Sequence, residues 1–257
     1  MFAAQRRREI MKLLRETGSA PVSELSRMFQ VSEVTIRLDL RKLYEEGKIE
    51  RNYGGASLVE DVELPFSSAA KLLTEVKNTI AGEAFKLVHQ GDTLFLDASS
   101  TTLELAKLIN NVENITVISN SIQVYEQFRE YRKGTLVGVA GVLNPTTQSF
   151  VGSLAESMVS GLKANKAFIS PKGILLEGLR DNNMAEAAIR RKMIDSADEV
   201  IVLADSSKFN NRRVLFGIHD FGSVSTVITD QYPEESFLRF FKEKHIQLII
   251  PGETRNG

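Results

Sequence analysis

The hexapeptide Asp97-Ala98-Ser99-Ser100-Thr101-Thr102 places four consecutive hydroxyl side chains behind an aspartate. Before it stands "TLFLD", an apolar run with the composition of a buried strand. After it comes "TTLELAKLI", with apolar residues at helical spacing. The hydroxyls therefore fall at the carboxyl end of a strand and the start of a helix. There, backbone N–H groups and the helix dipole favour an anion. Plain helix capping needs one Ser or Thr; four in succession favour a phosphate site. A later strand, "EVIVLAD", ends in "ADSSKF", so Lys208 stands at an equivalent position as a phosphate counter-charge.

A second chemistry lies in "VTIRLDLRKL", residues 34–43. On a helical wheel Ile36, Leu40 and Leu43 share a narrow arc that reads as the core side. Val34, Leu38, Arg41 and Lys42 lie opposite, with Thr35 and Arg37 on the flanks. A cationic face with small apolar patches suits DNA: arginine bridges guanine O6 and N7, and an aliphatic chain meets a thymine methyl. Asp39, beside the core arc, would repel phosphate and reads as the partner of an arginine.

The elements around these residues follow from pattern. Residues 3–17 predict a helix ended by Gly18. A short helix follows with Ser23 as its cap and Leu25 and Phe29 inward. "QVS" makes a turn, and Ser32 caps a helix over residues 33–46. "KIERNYGGASLV" predicts a hairpin turning at Gly54-Gly55. Three helices and a hairpin make a winged helix-turn-helix. Residues 59–74 read as a linker. Beyond it strands alternate with helices, which predicts a mostly parallel α/β sheet covered on both faces. In such a sheet ligands sit at the carboxyl ends of strands, where "SNS" (119–121) stands after another strand.

Composition sets the bounds. The chain has 257 residues, no cysteine and a net charge of −1. Disulfides and thiolate chemistry are excluded. Its three histidines are scattered, which argues against a histidine metal cluster. Residues 1–59 hold 11 Lys+Arg against 8 Asp+Glu, so a basic head sits on an acidic body. Neither a membrane span nor an apolar signal core is visible, and a cytoplasmic location is expected.

"VSEVTIRLDLRKLYEEGKIERNYGGA" resembles the N-terminal domain of the DeoR (deoxyribonucleoside-repressor) family of bacterial transcription regulators. Thr35-Ile36-Arg37-x-Asp39-Leu40 and Tyr53-Gly54-Gly55-Ala56 are its most specific marks. "GDTLFLDASSTTLELA", "ITVISNS", "SFVGSLAE", "KAFISPKGI", "EGLRDNNMAEAAIRRKMI", "VIVLADSSKF" and "VITD" resemble the same family's effector domain. That domain is related to the ribose-5-phosphate isomerase and CoA-transferase folds. The family places a polar or basic residue where this chain has Leu38. Its phosphate loop reads Asp-x-Gly-Thr-Thr, with Ser99 here in the glycine position.

The resemblance implies a winged helix-turn-helix domain over 1–58, a linker over 59–74 and an effector-sensing α/β domain over 75–257. It implies a repressor of a sugar-metabolism operon, released from a double-stranded DNA operator by a phosphorylated sugar, and acting as a homo-oligomer, dimer or tetramer. Ser32, Val34, Thr35, Arg37, Leu38, Arg41, Lys42, Arg51 and Tyr53 would meet DNA. Ser99, Ser100, Thr101 and Thr102 would cradle the phosphate, with Lys77, Asn120 and Lys208 around it. Asp97 would hold sugar hydroxyls or brace the loop. Glu186 would reach the sugar end or stand as a surface charge paired with Arg190 at i+4. No cofactor, metal or catalytic residue is implied.

Two other readings stay open. A sugar-phosphate isomerase with a DNA-binding head would need a general base, such as Glu186 or Asp97. The isomerases' acidic "Asp-Gly-Ala-Asp-Glu" stretch has no match in the chain. A protein-binding winged helix is disfavoured by the cationic face.

Overall fold

A computed structural model of the chain describes residues 3–17, 19–45, 49–52, 55–58, 65–212 and 214–252. It divides into two units, residues 1–72 and 73–257.

The first unit contains α1 (Ala3–Thr17), β1 (Ser19–Pro21), α2 (Val22–Phe29), α3 (Glu33–Glu45), β2 (Ile49–Asn52), β3 (Gly55–Leu58) and α4 (Phe66–Lys71). Ile10, Leu14, Leu25, Ile36, Leu40, Leu43 and Ile49 form its core. The three apolar residues assigned to the inner arc of α3 are all buried, and Val34 and Leu38 are exposed. The turn between α2 and α3 closes through Gln30 in the left-handed region and a Ser26 Oγ bond to Val31 O. Ser32 Oγ accepts from Thr35 N at 3.2 Å, so it caps α3 as expected.

One local expectation is corrected. Ser23 does not cap α2; the helix begins at Val22 behind Pro21, which makes no side-chain cap bond. Proline's fixed φ already suits a helix entrance. The expected hairpin forms from β2 and β3, and β1 joins it in the order β1-β3-β2. Gly55 pairs with Asn52 as the first residue of β3, and the rest of the expected Gly54-Gly55 turn lies outside the described residues. A side chain at Gly55 would sit 2.7 Å from Ala20 O, which explains a glycine there. Within the stretch read as linker, residues 66–71 form α4, and Phe66 is buried.

The second unit opens with α5 (Thr74–Phe85) and β4 (Thr93–Leu96). It continues with α6 (Ser100–Ile109), β5 (Thr116–Ser119), α7 (Ile122–Phe128), β6 (Thr135–Gly138), β7 (Val142–Asn144), β8 (Ser149–Val151) and α8 (Ser153–Ser160). Next come β9 (Ala164–Ile169), β10 (Gly173–Leu175), β11 (Gly178–Asp181), α9 (Met184–Asp195) and β12 (Ala197–Leu203). Last are β13 (Phe216–His219), β14 (Val224–Ile228), α10 (Glu235–Glu243) and β15 (Gln247–Ile249).

Seven strands form one sheet in the order β15-β14-β12-β9-β4-β5-β6, every pair parallel. Strand side chains alternate between two cores. Leu94 and Leu96 pack with Ile80, Leu105 and Val124 of α5, α6 and α7. Phe95, Val200 and Val202 pack with Val159, Ile189 and Phe237 of α8, α9 and α10. The expected α/β class, a parallel sheet covered on both faces, is what forms. Antiparallel pieces are added to it: β10-β11-β13 and the hairpin β7-β8.

Candidate functional site

From β4 the sheet grows to one side through β5 and β6, and to the other through β9, β12, β14 and β15. The switch point lies between β4 and β9, where the carboxyl ends of strands leave a crevice for ligands. The Asp97–Thr102 loop leaves β4 there, and Ser170 leaves β9.

Asp97 is buried and fully engaged. Its Oδ1 accepts from Ser99 N at 3.1 Å and Thr102 Oγ1 at 2.9 Å. Its Oδ2 accepts from Ser170 N at 3.0 Å and Arg190 Nε at 2.7 Å. Both carboxylate oxygens thus tie the loop to its neighbours. Ser99 caps α6, accepting from Thr102 N at 3.1 Å. The residue in the family's glycine position is thus an N-cap. Thr102 is fully buried and its hydroxyl turns back onto Asp97 and Ser99. Two of the four hydroxyls therefore build the loop. Ser100 and Thr101 remain, and their amides precede the first intrahelical bond, Leu103 N to Ser99 O. Thr101 has one long contact, 3.5 Å from Ser170 Oγ.

Three lysines share one charge-coupled cluster. Burial, then the neighbouring Lys172, pushes the Lys77 ammonium down to about 8; Lys208 adds to this, and Asp205 and Glu104 oppose it. Lys208 Nζ lies 3.9 Å from Asp205 Oδ2. Burial works to raise the Asp205 carboxyl, but Lys208 and the Ser207 hydrogen bonds outweigh it and hold the group below its ordinary value. Lys172 was not singled out in the sequence. Its only signal is its place two residues past Ser170, on the strand end that reaches Asp97.

Glu186 and Asn120 meet at the β7–β8 hairpin. Glu186 is no surface charge: it is 2% exposed. Its Oε1 accepts from Thr147 Oγ1 at 2.8 Å and from Ser149 Oγ. Its Oε2 lies 3.7 Å from Arg190 Nη1, so the i+4 pairing exists, but inside the protein. Asn120, wholly buried, donates from Nδ2 to Phe150 O at 3.0 Å. Arg190 also reaches Asp181 Oδ2 at 2.6 Å. Burial works against its charge, yet Asp181, Asp97 and Glu186 together push its pKa above the ordinary arginine value.

In the first unit Ser32, Val34, Arg37, Leu38, Arg41 and Lys42 are exposed and Thr35 is half-buried. Among the described residues, Arg37 and Arg41 make exposed pairs, with Glu33 at 3.2 Å and Glu45 at 3.9 Å. Such pairs are worth little and are readily exchanged for phosphate. Asp39 is buried and holds Arg6 at 2.6 Å and Arg7 at 3.3 Å, joining α3 to α1. Tyr44, also exposed, extends the same helix surface and was not singled out. The backbone of Arg51 lies in β2, while its side chain and all of Tyr53 fall outside the described residues.

Residues 6–62 match the model of a DeoR-like helix-turn-helix domain, and residues 73–231 match that of a DeoR C terminal sensor domain. The chain belongs to the DeoR family of transcriptional regulators. This regulator is 35% identical, over 100% of both chains, to an uncharacterized HTH-type transcriptional regulator, YulB, of Bacillus subtilis (strain 168). It is 32% identical to a putative aga operon transcriptional repressor of Escherichia coli O157:H7, over 97% of this chain and 94% of that one. The glycerol-3-phosphate regulon repressor of Escherichia coli (strain K12) is 28% identical over 97% of this chain and 100% of its own. A ribose 5-phosphate isomerase from Methanocaldococcus jannaschii is a distant structural neighbour: TM-score 0.39, 19% identity, 53% of this chain and 54% of that one. No helix among the described residues is long and apolar enough to cross a membrane.

Proposed function

We propose that this DeoR-family regulator is a cytoplasmic repressor of a sugar-metabolism operon, released from its operator by a phosphorylated sugar. The observation that carries the reading is the switch-point loop. Its aspartate and two of its hydroxyls are consumed internally, leaving the Ser100 and Thr101 amides and hydroxyls beside a strand end that carries Lys172. The coupled lysines Lys77, Lys172 and Lys208 supply positive charge for a phosphate. Asn120 and Glu186 serve the sugar end. Ser99, Thr102 and Asp97 act by shaping the loop.

In this reading residues 1–58 bind DNA, 59–74 connect and 75–257 sense. The exposed face of α3, with Ser32, Val34, Thr35, Arg37, Leu38, Arg41 and Lys42, enters the major groove, and Arg51 and Tyr53 of the wing touch the backbone. A two-fold homo-oligomer, dimer or tetramer, matches a palindromic operator. In this reading the protein is a regulator rather than an isomerase: isomerisation needs a carboxylate free to move a proton, and both oxygens of Asp97 are occupied.

Ser100→Asp tests the site. Two negative charges a few ångströms apart repel by several kcal/mol at an effective dielectric near 20. The folded variant should lose calorimetric binding of sugar phosphates that bind the wild type. Unchanged affinity would move the phosphate to another strand end.

A further inference from the structure

Among the buried side-chain acceptors of the second unit that have no hydrogen-bond donor are Asn120 Oδ1 and Glu186 Oε2. Both belong to side chains fastened to adjacent residues of β8. Glu186 Oε1 accepts from Ser149 Oγ, and Asn120 Nδ2 donates to Phe150 O. The hairpin is in turn stitched to the segment after β5, with Phe150 N donating to Asn120 O at 2.8 Å and Ile122 N to Gln148 O at 3.0 Å. It thus bridges the end of β5 and the start of α9.

The arrangement at Glu186 is asymmetric. Thr147 Oγ1 and Ser149 Oγ, 2.8 Å apart, both spend their hydrogens on Oε1. Arg190 Nη1 is nearer to Asp181 Oδ2, at 2.6 Å, than to Glu186 Oε2, at 3.7 Å. One carboxylate oxygen is locked and the other is left to accept. A buried acceptor without a donor is destabilising, more so when charged. A ligand that brings hydroxyl hydrogens to these atoms recovers that cost; an inorganic phosphate held at the Asp97–Thr102 loop has no hydroxylated chain to bring them.

We propose that the β7–β8 hairpin sets ligand specificity: Thr147 and Ser149 are positioning residues that aim Glu186, and hydroxyl groups of a polyhydroxylated chain complete Glu186 Oε2 and Asn120 Oδ1. This rests on the phosphate-site reading above and adds to it the chemical class at the other end of the ligand. A site built to pair with a hydroxyl rejects the analogue lacking it far more strongly than an apolar pocket rejects an extra group.

The test uses the full-length protein and calorimetry with inorganic phosphate, ribose 5-phosphate, glucose 6-phosphate, fructose 6-phosphate, glycerol 3-phosphate and the 2-deoxy forms of the first two sugars. The quantity read is the margin of the tightest sugar phosphate over inorganic phosphate. In the wild type that margin should be at least about tenfold, the worth of one hydrogen bond to a charged group. Glu186→Gln and Thr147→Val/Ser149→Ala should erase most of it, leaving inorganic phosphate affinity within about threefold. Thr147→Ser, which keeps the hydroxyl, should keep the margin. An equal loss for sugar phosphates and inorganic phosphate would mean a merely structural hairpin and would overturn the inference. So would a wild type that binds inorganic phosphate as tightly as every sugar phosphate, a result that needs no variant to fold and leaves the phosphate site standing. Binding of none of these compounds would remove the phosphate site as well.

Discussion

Arg190 Nε sits 2.7 Å from Asp97 Oδ2, inside the protein, with both side chains almost wholly shielded from solvent. The contact joins α9 to the segment that leaves β4, and the same carboxylate oxygen takes the Ser170 amide that leaves β9. One ion pair therefore fixes the three elements that meet at the switch point.

Removing the cation strands Asp97, Asp181 and Glu186 as buried carboxylates. Arg190→Met should destabilise the second unit by about 3–5 kcal/mol. Arg190→Lys should recover little, because a single ammonium cannot serve two directions at once. Denaturant unfolding followed by circular dichroism checks this; a midpoint unchanged in Arg190→Met would refute the assignment.

Asp39 plays the corresponding part in the first unit. Asp39→Ala leaves Arg6 buried without its carboxylate, at a cost of about 3–5 kcal/mol, a large share of the stability of a small domain. Replacing both partners, Arg6→Met with Asp39→Leu, should restore most of it. Thermal melting of the three proteins is the measurement, and an additive double variant would argue against a coupled pair.

The parallel sheet was legible in the sequence because its strands are near-continuous apolar runs, "TLFLD" and "EVIVLAD" among them. The core side of α3 was legible because Ile36, Leu40 and Leu43 recur at helical spacing. The antiparallel additions were not. Strands β1, β7, β10 and β11 have three or four residues each, too short to show a period, and β1 and β11 pair with the distant β3 and β13. The site was legible in the same uneven way. A run of hydroxyls announces a helix entrance, but nothing local says that the Thr102 hydroxyl turns back onto Asp97 while Thr101, also buried, meets Ser170. Arg190 looked like a surface partner of Glu186 because i+4 spacing is local information, whereas Asp97 lies 93 residues away. Thr147 and Ser149 carried no signal for the same reason.

Lys77 should make both stability and anion affinity depend on pH. Its pKa in the folded protein is about 8, against roughly 10.4 for an unfolded lysine. Between those values the unfolded chain holds more protons at this position, so its contribution raises stability as pH climbs through that window. Below about pH 8 the contribution is a constant penalty on the order of 3 kcal/mol. Lys77→Met should therefore be more stable at pH 7 and lack the wild type's gain at high pH. A bound phosphate favours the charged amine, so wild-type phosphate affinity should fall as pH rises past about 8. The variant should bind more weakly, with a flat profile there. Calorimetry from pH 7 to 9.5 decides it; a parallel decline in both proteins would place the titrating group elsewhere.

Operator binding should be steeply salt-dependent, and the residues on α3 should separate by kind. Lys42→Ala, if its ammonium meets phosphate, should lower the slope of log affinity against log salt by about 0.9 and weaken all sequences alike. Arg41→Ala should cost about 1–3 kcal/mol and relax preference at one base pair. Leu38→Ala should weaken only sites with a thymine methyl opposite it. Fluorescence anisotropy over a salt series, on an operator and its single-base variants, reads all three.

The division of labour along residues 97–102 has a genetic consequence. Adjacent codons should give opposite phenotypes. Loss of Asp97 or Thr102 removes folded repressor, so the controlled genes are expressed without inducer, and such alleles are recessive. Loss of the anion contacts at Ser100 or Thr101 leaves a folded repressor that no longer responds, so the genes stay silent whatever sugar is supplied, and such alleles are dominant. Saturation mutagenesis of this one segment, scored in both directions with a reporter, would print the ligand contacts as a pair of positions flanked by braces.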